Sequence, residues 1–130
     1  MKLVIRSIST WDAPNLRVWF PEDDLCFADT VTLTIGPHPG NKTDSFYLRV
    51  ATPAGLAKLQ ADDGIVAAGP VLILVRYDFD ILWNWVSHVV KKSEAASWSE
   101  CVENLKRFFA WEYDNYSEDK YIKDTATKTL

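Results

Sequence analysis

Thr30-Val31-Thr32-Leu33-Thr34-Ile35 is followed by Gly36-Pro37-His38-Pro39-Gly40-Asn41, and the fold of this chain turns on that junction. Val31, Leu33 and Ile35 alternate with three threonines. Period two with β-branched residues on both faces predicts a half-buried antiparallel strand. The glycines and prolines that follow cannot continue it and predict a turn. The alternation resumes at Asp44–Ala51, where Phe46, Leu48 and Val50 oppose Ser45, Tyr47 and Arg49. Two strands and a stiffened loop make a hairpin.

Working outward, Lys2–Ser9 predicts a strand. Leu16-Arg17-Val18-Trp19-Phe20 alternates and predicts another, stopped by Pro21 and followed by the acidic turn Glu22-Asp23-Asp24. On the other side, Thr52-Pro53 predicts a helix start, with Thr as cap and Pro at a position whose N–H would be unpaired anyway. That helix should run over residues 53–61, with Leu56 and Leu59 as contacts, and end at Asp62-Asp63-Gly64. Pro70–Val75 is continuously apolar, which predicts a central strand covered on both faces.

Two longer helices follow. Over Asp78–Lys92 the residues Leu82, Trp85, Val86 and Val89 fall on one stripe, widened by Trp83 and Val90, and Lys91-Lys92 complement the helix dipole. Ser97-Trp98-Ser99-Glu100 reads as a capping box, followed by the stripe Trp98, Val102, Leu105 and Phe109. Glu103 and Arg107 stand four apart as a favourable pair. The predicted fold class is α+β: a single domain with a mainly antiparallel sheet of four or five strands and about three helices packed on one face. The segment 45–75 can add one parallel pairing. The domain should span residues 1–116, with a polar C-terminal tail over 117–130.

The 130 residues are 48% hydrophobic and 25% charged, as in an ordinary globular domain. Six Trp, six Phe and five Tyr are many for that length, so some rings should serve a surface. The formal charge of −4 argues against nucleic acid as the main ligand, because phosphate binding needs basic clusters. No apolar run approaches a membrane span, and Met1–Arg6 has neither a long apolar segment nor a small-residue cleavage site. A cytoplasmic protein with two free thiols, Cys26 and Cys101, is the expectation.

Chemistry is hard to find. His38 sits between prolines, and His88 lies on a helix flank; neither has metal-ligand spacing. The cysteines lie in no nucleophile motif, and the five glycines form no phosphate loop. No cofactor is called for. Two acidic-aromatic stretches remain, Trp19–Asp24 and Trp111–Asp119. Trp and Tyr supply interface area, and carboxylates around them attract a basic partner. The alternative is a helix end packed on the sheet with solvated charges. The candidate binding residues are Glu22, Asp23, Asp24, Glu112, Tyr113, Asp114 and Tyr116. A second possibility is a small-ligand pocket or enzyme site between sheet and helices, lined by Tyr77, Trp83, Trp85 and His88.

The chain resembles the immunity protein 8 family of bacterial polymorphic toxin and contact-dependent growth inhibition systems. The matching pieces are Phe27 leading to Ile35-Gly36-Pro37, then Ser45-Phe46, then Thr52-Pro53 with Leu56. Ser97-Trp98, Leu105 and Trp111-Glu112-Tyr113-Asp114-Asn115-Tyr116 follow in order, so the resemblance covers roughly residues 10–116. It departs from the family's pattern at Ala51 and Gly55, which bears on helix packing. The resemblance implies a non-catalytic protein that binds and neutralises a cognate toxin C-terminal domain, frequently a nuclease. The expected partner is that protein, with no nucleic acid and no membrane, and the free protein is a monomer or weak dimer.

Overall fold

The structure, a computed structural model, describes residues 1–59, 64–66 and 69–114. Among the described residues five strands form one sheet. Strands β1 (Lys2–Ser9), β2 (Ala28–His38) and β3 (Asp44–Ala51) make an antiparallel meander. Helix α1 (Pro53–Lys58) then crosses over to β4 (Val71–Ile73), which pairs parallel to β3. Helices α2 (Phe79–Lys92) and α3 (Trp98–Leu105) follow, and β5 (Ala110–Trp111) returns antiparallel to the other end of β3.

The register explains the burial. Val31 faces Leu48, Leu33 faces Phe46, and Ile35 faces Asp44. The inward rows of β2 and β3 join Leu82, Val86 and Val89 of α2 and Val102 and Leu105 of α3 in one core. The threonines and Ser45, Tyr47 and Arg49 occupy the other face, as the alternation predicts. Period two also carries Asp44 onto the inward row, where it is buried. In β1 the register shifts between Ile5 and Ser7, so Arg6 is a bulge residue and both Ile5 and Ile8 turn inward. Glu94 caps the outer edge of that strand by accepting the Leu3 N–H at 2.7 Å.

The caps predicted at Thr52 and at Ser97–Glu100 are present, and Asp78, read as the first residue of its helix, is a third. Thr52 caps α1 and Asp78 caps α2; Ser97 and Glu100 bond the start of α3 reciprocally. Both thiols are free, Cys101 in the core and Cys26 half-buried.

Five local expectations differ from the structure. Gly36-Pro37-His38 does not stop the strand: β2 runs on to His38, with these three residues opposite Val4, Leu3 and Lys2. Past Ile35 only β1 pairs with β2, so proline is tolerated there as on an edge. Helix α1 ends at Lys58 and not at residue 61, with Leu59 already extended. Leu16–Val18 is a 3-10 turn and not a strand, because the Asn15 side chain accepts the Arg17 N–H and offers the backbone a local partner in place of a ladder. Leu16 is buried while Val18 and Phe20 are exposed. Pro70–Val75 is not a central strand. β4 is three residues long and reaches only β3, with Leu72 and Leu74 turned inward and Val71, Ile73 and Val75 outward. A run apolar on both sides hid an ordinary one-faced edge strand. Finally, α3 ends at Leu105, so Glu103 pairs with Lys106 and not with Arg107, which lies past the helix. Phe109 reaches the core all the same, through a turn in which its N–H bonds the Leu105 carbonyl.

Candidate functional site

The acidic turn Glu22–Asp24 is built by its own polar groups. The Asp23 carboxylate accepts the Leu25 N–H at 2.9 Å, and the Asp23 carbonyl accepts the Cys26 N–H. The turn is then fastened to its neighbours. The Asp24 carbonyl accepts the Tyr77 N–H at 2.6 Å, and its carboxylate lies 3.7 Å from the Arg76 guanidinium. Thr52 holds the following residues: its hydroxyl accepts the Phe27 N–H at 2.9 Å and donates to the Leu25 carbonyl at 2.8 Å. Glu22 is exposed and has no hydrogen bond or ion pair among the described residues.

Beneath this turn Trp19, Phe27 and Tyr77 pack as a triad, with ring centroids 4.7 to 5.9 Å apart. The Tyr77 hydroxyl is buried without a hydrogen-bond partner among the described residues. Burial, followed by the Asp78 charge, pushes its pKa up. The triad draws together three chain segments whose neighbouring side chains stand in solvent. Val18 is 77% exposed, Phe20 80%, Leu25 47% and Val75 88%. Exposed apolar residues gathered in this way, beside Glu22, Asp23 and Asp24, have the make-up of a contact surface. Trp19 to Asp24 was visible to sequence reading, but Leu25 and Val75 were missed. Val75 carries a signal only once Pro70–Val75 is read as alternating.

At the second stretch the carboxylates are already engaged. Glu112 accepts the Ser45 N–H at 2.9 Å, which finishes the edge of β3 beyond β5. Asp114 pairs with Lys106 at 2.8 Å, and Glu103 reaches the same ammonium at 3.5 Å. The Asp114 hydrogen bond is the main cause holding the Lys106 pKa above its usual range. The Trp111 indole donates to Asp44 at 3.1 Å, and the exposed ring of Tyr113 stands edge-on to Trp111 at 5.1 Å. Between these rings and Trp98 runs a groove of about 400 Å³, with Lys42, Asp44 and Glu103 along it. Tyr116 and residues 115–119 generally lie outside the described residues, as does the 117–130 tail.

The structure does not bring the two stretches together. One is fixed at Ser45 and the other at Thr52, the two ends of β3. A rise of about 3.3 Å per residue puts roughly 23 Å between them.

The residues offered for a ligand pocket are also apart. Tyr77 belongs to the triad, Trp83 stacks with Phe79 under the Arg17 guanidinium, and Trp85 packs edge-on to Phe108 and Phe109. His88 and His38 are exposed. Among the described residues no group of three or more His, Cys, Asp or Glu could hold a metal ion. Among them, too, no helix is long and apolar enough to cross a membrane.

A small α+β domain with exposed apolar side chains set among carboxylates has the equipment of a protein-binding module. The chain belongs to the immunity protein 8 family, whose model matches residues 3–116 and so takes in all five strands but for Lys2. No curated protein and no solved structure matches the chain.

Proposed function

We propose that this protein is the antidote to a cognate toxin. It binds the toxin's C-terminal domain in a tight one-to-one complex and carries out no chemistry of its own. The toxin is of the nuclease type and is delivered by contact-dependent growth inhibition, and the antidote meets it in the cytoplasm. Family membership supports the class of partner. The net charge of −4 suits a toxin whose substrate channel is basic.

The observation that carries the docking site is the convergence of Val18, Phe20, Leu25 and Val75 on the Glu22–Asp24 turn. Phe20 and Val75 supply desolvated contact area; Glu22 and Asp23 steer the encounter and suppress wrong partners. Glu112, Tyr113 and Asp114 form a separate contact at the far end of β3, with Tyr113 as its exposed ring.

Co-expression with the toxin domain encoded beside it is the test. Cells carrying the wild-type protein survive, and the complex co-elutes. Phe20→Glu combined with Val75→Glu keeps the fold, since both side chains are exposed, and abolishes protection. Full protection by that variant would move the docking site elsewhere, and cell death with the wild-type protein would end the toxin-antidote reading.

A further inference from the structure

The groove between α3 and β5 has a floor that the family assignment does not explain. Asp44 is only 5% exposed, carried inward by the same alternation that buries Phe46 and Leu48. A buried carboxylate normally has an ionic partner. Asp44 has none among the described residues. One of its oxygens accepts the Trp111 indole N–H, and no second side-chain hydrogen bond is made there. The carboxylate opens onto a groove walled by Trp98, Trp111 and Tyr113.

A carboxylate beneath aromatic faces is complementary to a cation that can stack and donate at once. The protein's own lysines already find these faces from outside. Lys42 Nζ lies 5.5 Å from the centre of the Trp98 ring, and Lys106 Nζ lies 5.6 Å from that of Trp111. Lys106 is neutralised by Asp114 and Glu103, while Lys42 has no ion pair among the described residues. A flat guanidinium does better than an ammonium here, because it stacks on indole while its N–H groups remain free for the carboxylate. Elsewhere in this protein Arg17 lies on Trp83 in that manner, 4.0 Å from the ring centre.

We infer that the Trp98–Trp111–Tyr113 groove is a receptor for an arginine side chain of the protein partner, which stacks on the indoles and donates to the unshared oxygen of Asp44. Lys42 acts as a place-holder that the incoming guanidinium displaces from Trp98. The inference rests on the toxin-binding reading only for the origin of that arginine.

The test uses the free protein. N-acetyl-arginine methylamide is titrated against it while the indole N–H resonance of Trp111 is followed, since that proton is bonded to Asp44. The citrulline analogue, equal in shape and uncharged, is the control. A saturable shift with arginine, at least about tenfold weaker with citrulline, is expected. Asp44→Asn keeps an acceptor for the indole and should lose the arginine response by a similar factor. Lys42→Ala should strengthen it severalfold. Equal responses to arginine and citrulline, or none to either, overturn the assignment, and neither comparison depends on a variant folding. The titration involves no toxin, so its failure is separate from a failure of co-expressed protein to protect cells.

Discussion

The carboxylate of Glu112 accepts the backbone N–H of Ser45, at 2.9 Å, across sixty-seven residues of chain. An acidic residue between two aromatic ones reads as a feature of a binding surface. Here it finishes the edge of a strand. Glu112→Ala should therefore destabilise the fold by about 1–2 kcal/mol, and Glu112→Gln by much less because its amide oxygen can still accept. Urea unfolding of the two variants reads the difference. Equal stability of Glu112→Ala and wild type would show that the bond contributes nothing.

Charge reversal separates steering from structure. Glu22→Lys with Asp23→Asn should slow association with the toxin severalfold at low salt and lose that effect near 0.5 M, where exposed charges are screened. Dissociation should change little. Stopped-flow association at several salt concentrations decides it, and a salt-independent rate would remove the acidic turn from the encounter.

Thr52 joins three jobs in one hydroxyl: it caps α1, accepts from Phe27 and donates to Leu25. Thr52→Val keeps the shape and removes all three, so a loss of about 2–3 kcal/mol is expected. Thr52→Ser should recover most of it. Hydrogen exchange at the Phe27 amide provides a local reading, with fast exchange in the Val variant and protection in the Ser variant.

A methyl group on Gly55 would stand 2.0 Å from the Phe27 carbonyl oxygen, which belongs to backbone and cannot step aside. Gly55→Ala should cost about 3 kcal/mol. Gly69→Ala, where nothing described lies within 4 Å, should be within about 0.5 kcal/mol of wild type. A tolerated alanine would show that α1 can ride further from β2 than it does here.

Alkali should find Tyr77. Its folded pKa is raised, so folding favours the neutral phenol. The resulting stability is present below about pH 10, the unfolded value, and is lost as pH climbs through the folded one. Lys106, also raised, adds a loss of the same sign above its unfolded value. Tyr77→Phe removes a buried hydroxyl that has no partner among the described residues, and should be neutral or stabilising by up to about 1 kcal/mol at pH 7. It should also flatten the alkaline fall. Denaturation midpoints from pH 7 to 11 for the two proteins supply the comparison; parallel curves would place the alkaline sensitivity elsewhere.

How much of this was legible depends on whether local pattern or distant contact decides. The Thr30–Ile35 and Asp44–Ala51 alternation set the hairpin, and the caps at Thr52 and Ser97 marked helix starts, because those signals lie within a few residues. Leu16–Phe20 alternates as well, yet Asn15 captures the backbone first. Pro70–Val75 shows no alternation, because its outward residues are as apolar as its inward ones. At the candidate sites, composition pointed to Trp19–Asp24 and Trp111–Asp119. It could not show that Glu112 and Asp114 already have partners, or that Arg76 and Tyr77 would arrive beside Asp24. Asp44 was legible in hindsight, since its parity matches Phe46, but its indole partner comes from sixty-seven residues away.

The pairing of β5 with β3 sets an order of assembly. The β1–β2–β3 meander joins strands that are neighbours in sequence. Phe46 must wait for Trp111, so the Phe46 end of the margin that β4 shares stays open until nearly the whole matched region has been synthesised. Asp44 and Ser45 gain their indole and carboxylate partners at that same moment. A nascent chain cut short before Trp111 therefore lacks both the closed margin and the walled groove, whatever the state of the acidic turn at the opposite end.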